Sequence, residues 1–290
     1  MNLSQLSISR RSITIAAAAL VGVVSLAIGA HAALNKRVLE QAAAAVPEQQ
    51  AATGQHASRI ALVIGNGHYP DASAPLDQPV NDARALTAAL RNNGFDVDVV
   101  EDASRDDMHR AIGRMKAKIK PDSVVMLFFG GYGVQVGRES YMIPVDAAIW
   151  KEADVRRDGF SVESVLDAMK EQGARAKLVV IDASRRNPYE RRFRAYSHGL
   201  APIAAPDNAL ILSSATPGKV ADDSKDAHSV LMAELLGHIN AEPAGAAGAE
   251  AIFNKTRLAI SRASDGEQVP AVSSSLLEDV SFAASDRAGG

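Results

Sequence analysis

Two hydrophobic rhythms alternate along this chain. Short, unbroken apolar runs occur at RIALVIGNG (59–67), SVVMLFF (123–129), AKLVVIDAS (176–184) and NALILSSAT (208–216). Runs of this kind, apolar on both faces and closed by glycine or polar residues, are the pattern of strands buried inside a parallel sheet. FDVDVVE (95–101) alternates with period two and predicts a strand with one face in water. Between the runs, apolar residues fall three and four apart. NDARALTAALRNNG (81–94) predicts a helix with Ala83, Leu86 and Leu90 on one face and Gly94 as its stop. Ser104 and Asp107 form a capping-box start for a helix that buries Met108, Ile112, Met115 and Ile119. Ser161 caps a further helix with Val162, Val165, Leu166 and Met169 inward, and two more helices are predicted at 228–239 and 249–263. GVQVGRESYMIP (133–144) reads as a hairpin around Gly137.

Strand and helix in alternation predict an α/β fold, a mostly parallel sheet with helices on both faces. In such folds the site lies beyond the carboxyl ends of the strands. Attention therefore falls on the loops after ALVIG, MLFF and LVVID, and one of them holds Gly130-Gly131-Tyr132-Gly133.

Composition narrows the chemistry. The 290 residues contain no cysteine, which excludes a disulfide framework, a thiolate metal site and a cysteine nucleophile together. Net charge is −3, with no basic excess that would suggest nucleic acid as a partner. Apolar residues make up 47% but aromatics only 4%, so the core is expected to be aliphatic.

The amino terminus is set apart. Arg10-Arg11 precede a weakly apolar run from Ile13 to Ala30, and Ala30-His31-Ala32 offers a small-residue cleavage site. Residues 1–32 thus read as a secretory signal peptide of twin-arginine character, or as an uncleaved membrane anchor through residues 13–30. Either way this segment engages export machinery or membrane, and the bulk of the chain is expected in the periplasm or otherwise outside the cytoplasmic membrane. Residues 33–58, rich in Ala and Gln, read as a short helix and linker, 59–283 as the folded domain, and 284–290 as a disordered tail.

The three loops GNGHYPDASAPLDQPVNDARAL, GGYGVQVGRESYMIPVDA and DASRRNPYERRFRAYSHGLAP, with the later TPGKVADD (216–223) and QVPAVSSSLL (268–277), follow one another in a specific order. In these motifs the chain resembles the caspase-like peptidases, in the bacterial metacaspase or orthocaspase form. The resemblance runs from about Arg59 to Phe282. It implies a three-layer sandwich around a six-stranded, mainly parallel sheet.

The family's loop after the third strand carries Gly-His-Gly, whose histidine assists catalysis, and the loop after the fourth carries Asp-x-Cys-Arg, whose cysteine attacks the substrate. This chain has Gly131-Tyr132-Gly133 and Asp182-Ala183-Ser184-Arg185. Tyr132 and Ser184 occupy the two catalytic positions, so no intact catalytic pair is expected. A thiol near pKa 8.5 leaves a few per cent thiolate at neutral pH, whereas a serine hydroxyl needs a base beside it. Tyrosine, with an ordinary pKa of about 10, is phenolate in only about one part in a thousand at pH 7. The pair predicts a pseudopeptidase, an exported binding or regulatory module. The alternative is a serine-variant endopeptidase cutting after Arg or Lys, with Ser184 attacking and His68 or His198 as its base.

The resemblance also implies a substrate pocket for Arg or Lys at Asp82 and Asp182, where paired carboxylates would hold a cation through charge-assisted bonds. Against this, Asp82 could simply start its helix and Asp182 cap a turn. Basic peptide segments or an active paralogous peptidase are the expected partners. The five arginines at 185, 186, 191, 192 and 194 fall where self-cleavage occurs in active relatives, and one of them docking into the acid pair would close that loop. No cofactor is expected. No metal-ligand spacing is present, although the calcium dependence of some metacaspases leaves a loop-bound calcium open.

Overall fold

The structure is a computed structural model, and it describes residues 58–70, 76–183, 200, 202–219, 221, 226–241 and 247–282. The expected signal or anchor, the linker up to residue 57, Ser184, His198, the five loop arginines and the tail at 284–290 lie outside the described residues.

Nine strands and six helices alternate along the described chain. They run β1 (Arg59–Gly65), α1 (Gln78–Asn92), β2 (Asp96–Glu101), α2 (Arg105–Lys118), β3 (Val124–Gly130), β4 (Gly133–Val136), β5 (Glu139–Met142), α3 (Glu152–Asp158), β6 (Phe160–Ser161) and α4 (Val162–Glu171). There follow β7 (Ala176–Asp182), β8 (Ala209–Ser213), α5 (Val230–Ala241), α6 (Ala249–Ala263) and β9 (Ala271–Ser274). The main sheet has six strands in the order β2-β1-β3-β7-β8-β9, parallel except for β9. A small antiparallel sheet, β4-β5-β6, carries the expected hairpin.

Side chains alternate across each strand, so one run of buried residues feeds two cores. In β3, Val124, Met126 and Phe128 join Leu86 and Leu90 of α1, Leu235 of α5 and Phe253 of α6. Val125, Leu127 and Phe129 face the other way, with Met108 and Met115 of α2 and Val165 and Met169 of α4. Helices therefore cover both faces of the sheet, as the continuous apolar runs of β1, β3 and β7 required. At the outer edge, β2 carries Asp96, Asp98 and Glu101, paired with Lys118, Arg114 and Arg84 at 2.7, 2.8 and 2.6 Å. Such exposed pairs contribute little stability, but charges along an edge discourage pairing with another chain.

Local signals held where their chemistry is local. Ser104 accepts from Asp107 N while Asp107 accepts from Ser104 N, closing the capping box. Ser161 Oγ accepts from Ser164 N and starts α4. Two helix starts differ from expectation. α1 begins at Gln78 rather than Asn81, because Pro79 sits in the first turn, where its missing N–H has no helical partner to satisfy. Asp82 is thus inside the helix and buried, not at its start. α5 begins at Val230, with Ser229 Oγ accepting from Met232 N at 3.1 Å, so His228 precedes the helix instead of opening it. The short α3 and the strand β6 carry no periodic apolar signal and were not legible.

Gly65 sets the approach of α1 to the sheet. A Cβ there would lie 2.3 Å from the Pro79 carbonyl oxygen and 2.7 Å from Ala83 Cβ. Gly65→Ala should therefore push the first turns of α1 off β1 and cost about 1–3 kcal/mol of stability, read as a lower urea midpoint. An unchanged midpoint would mean the helix does not need that close contact.

Candidate functional site

Three strands end on one level. Gly65 pairs with Gly130, and Gly130 pairs with Asp182, across β1, β3 and β7. Backbone hydrogen bonds extend this register into the loops: Asn66 N donates to Gly130 O at 2.9 Å, Gly131 N to Asp182 O and Gly133 N to Ala183 O, both at 3.2 Å. Asn66, fully buried, joins the same level to its neighbours. Its Oδ1 accepts from Ala103 N at 2.8 Å and its Nδ2 donates to Ile143 O at 3.2 Å.

The glycines around Tyr132 allow close approach. A Cβ on Gly131 would meet Tyr69 Oη at 2.6 Å, and one on Gly133 would meet Leu200 Cδ2 at 2.7 Å and Ala183 O at 2.9 Å. Tyr132 is only 6% exposed and packs edge-on against Tyr69, ring centroids 4.8 Å apart. Its N–H donates to Tyr69 Oη at 3.1 Å, Tyr69 Oη donates to Ile143 O at 2.9 Å, and Ile143 N returns a bond to Tyr132 O at 3.1 Å. With Val134, Val136 and Ile143 the two tyrosines form a small core of their own. Tyr132, expected to hold a catalytic position, is thus a packed aromatic side chain. Tyr132→Ala should cost about 3–5 kcal/mol, the range for removing a buried aromatic ring, measured by urea unfolding.

Asp182 follows Leu178 and Val180 in strand phase, and so faces the side of the sheet covered by α1 and α5. Asp82 comes from α1. The two carboxylates are 2% and 1% exposed. Burial, reinforced by the charge of Asp182, pushes the Asp82 carboxyl up to about 6, against the hydrogen bonds it receives from His228 and Ser229. His228 Nδ1 lies 2.8 Å from Asp82 Oδ1, and Ser229 N is 3.3 Å from each Asp82 oxygen. This contact spans 146 residues of sequence, and sequence reading placed His228 on a helix and missed it. Ser229 also brings the amino end of α5 against the carboxylate, where a helix dipole favours negative charge.

His68, weighed as a base, lies elsewhere in its bonding. Its ring Nδ1 is 2.6 Å from Asp102 Oδ2, with the side chain 79% exposed. Burial opposes ionisation of Asp102, but the N–H groups of His68 and Gly67 and the His68 ring outweigh it and hold that carboxyl below its ordinary range. Ser184, the other half of any such pair, and His198 lie outside the described residues. A groove of 590 Å³ lined by His109, Ile112, Phe160 and Val165 lies between α2 and α4, on the opposite face from the acid pair. Among the described residues no three His, Cys, Asp or Glu side chains converge as for a metal ion, and no helix is long and apolar enough to cross a membrane.

A mainly parallel α/β sandwich with its loops gathered at the carboxyl ends of β1, β3 and β7 defines the class. A family profile described as the caspase domain matches residues 58–281, and the chain belongs to that family. It is similar to the human mucosa-associated lymphoid tissue lymphoma translocation protein 1, 27% identical over 133 residues, 46% of this chain and 16% of that protein. The mouse homolog is 27% identical over 147 residues, 50% of this chain and 17% of its own. The chain thus spans about a sixth of the length of these curated relatives. As a caspase-domain protein without cysteine, it lacks the nucleophile of the family.

The pKa of Asp82 carries a sign. Its folded value of about 6 exceeds the ordinary 3.8, so the folded state binds the proton more tightly. Neutral Asp82 favours the fold at low pH, and that contribution is lost as pH rises through about 6. Asp82→Asn is therefore expected to gain about 3 kcal/mol over wild type at pH 8, about 1 kcal/mol at pH 4.5 and almost nothing at about pH 3, read from urea midpoints at the three values. Equal midpoints at pH 8 would contradict a buried, unfavourably ionised carboxylate.

Proposed function

We propose that this protein is a pseudopeptidase of the caspase-domain family, exported or tethered outside the cytoplasmic membrane, that binds basic peptide segments. One observation carries the reading: two nearly inaccessible carboxylates, Asp82 and Asp182, share one side of the sheet at the strand ends. Two buried like charges are costly unless a cation joins them, and an Arg or Lys side chain supplies that charge with directed hydrogen bonds. The absence of cysteine and the packing of Tyr132 support loss of the family's chemistry. A basic segment of a partner, including an active paralogous peptidase, is the ligand that this arrangement suits.

A serine-variant endopeptidase is the second reading, favoured by the Asp82–His228 contact. A carboxylate on Nδ1 of an imidazole is how an Asp orients a histidine base. Fluorogenic peptides ending in Arg or Lys, offered to the full chain and to its Ser184→Ala variant, separate the two. No turnover by either protein, with peptide binding weakened at least about tenfold by Asp182→Asn, is the expected result. Turnover lost in Ser184→Ala would replace the first reading by the second.

A further inference from the structure

The acid pair is not an open anionic hole. Residues 226–229 are fastened across α1 by side chains from its opening turns: Gln78 Nε2 donates to Asp226 O at 3.5 Å and Asn81 Nδ2 to Ala227 O at 3.3 Å. This strap ends at His228 and Ser229, the two residues on Asp82. The Asp82 side chain is 1% exposed and that of His228 is 36% exposed, so the imidazole stands at the solvent edge of a covered carboxylate.

The two Asp82 oxygens are unequally occupied by this strap. Oδ1 takes both His228 Nδ1, at 2.8 Å, and Ser229 N, at 3.3 Å, while Oδ2 takes Ser229 N from the same side. A carboxylate oxygen has two lone pairs in its plane, so Oδ1 is filled. That matters because the two basic side chains make different demands. A guanidinium is a rigid fork that binds best with two parallel N–H groups on both oxygens of one carboxylate, whereas an ammonium is a compact charge that one oxygen satisfies.

We infer that His228 determines which basic side chain the pocket accepts: by occupying Oδ1 of Asp82, it admits the ammonium of lysine and turns away the forked guanidinium of arginine. The inference rests on the reading of Asp82 and Asp182 as a pocket for basic side chains, and adds to it a residue that discriminates between them. Lysine binds at Oδ2 and toward Asp182 with His228 in place. Arginine binds bidentately only after the imidazole has left, which adds the loss of the His228 bond to the cost of binding.

The test uses the full chain at pH 7.5 and two fluorescein-labelled pentapeptides, amidated at the carboxyl end and differing only in a final Lys or Arg. Fluorescence anisotropy should show the Lys peptide bound about tenfold more tightly by wild type, the scale of one charge-assisted hydrogen bond. His228→Ala should tighten the Arg peptide by a similar factor and leave the Lys peptide nearly unchanged. His228→Asn, which can still donate to Oδ1, should keep the wild-type preference. Should His228→Ala fail to fold by circular dichroism, the wild-type ratio and His228→Asn decide the matter. Equal affinity of wild type for the two peptides, with both lost in Asp182→Asn, would overturn the role of His228 and leave the pocket standing. No binding of either peptide by wild type or His228→Ala would overturn the pocket and, with it, this inference.

Discussion

The register of three parallel strands is the constraint on which the site depends. Because Gly65, Gly130 and Asp182 stand opposite one another, the loops that leave β1, β3 and β7 start from one level. The chain after β1 and after β3 then makes its first hydrogen bonds to the next strand over, Asn66 to Gly130, Gly131 to Asp182 and Gly133 to Ala183. A slip of one residue in β7 would turn Asp182 to the opposite face of the sheet, away from Asp82. The buried alternation of Leu178, Val179, Val180 and Ile181 opposes such a slip, since every one of those side chains would have to change cores.

On that level the loops answer different physical demands. Around Tyr132 the demand is steric. Gly131 and Gly133 leave room for Tyr69, Leu200 and Ala183, and the two tyrosines close a core beneath the small antiparallel sheet. Tyr132 here contributes packing. Around Asp82 the demand is electrostatic. A carboxylate buried beside another carboxylate is unfavourable, and the chain relieves it with an imidazole, a backbone N–H and the amino end of α5. Asp82 therefore has a part in the fold: its carboxylate anchors the segment that leads into α5.

Much of the fold was legible before the structure, and for a physical reason. The buried strands are continuous apolar runs, the helices that cover the sheet have apolar faces at helical spacing, and the caps of α2 and α4 are made by residues three apart. These are local properties, and a linear sequence carries them. The helix start at Gln78 was misjudged because proline marks both a break and a first turn, and the choice depends on whether the residues before it can join the helix. α3 was missed since its stability comes from Asp154, which accepts from the N–H groups of Trp150 and Lys151, rather than from an apolar face.

By itself the sequence determined the alternation of strand and helix, the family resemblance carried by its loops, and the absence of a thiol nucleophile, because each is written in residue type and short-range order. Only the tertiary structure decided that Tyr132 is a packing residue, that His68 belongs to Asp102, and that His228 stands on Asp82. Those outcomes depend on contacts between residues 34 to 146 positions apart, which no spacing along the chain encodes. Asp82 comes from α1, Asp182 from β7 and the Ser229 N–H from the residue before α5, and it is the stacking of α1 and α5 on the same face of the sheet that brings them into a common neighbourhood.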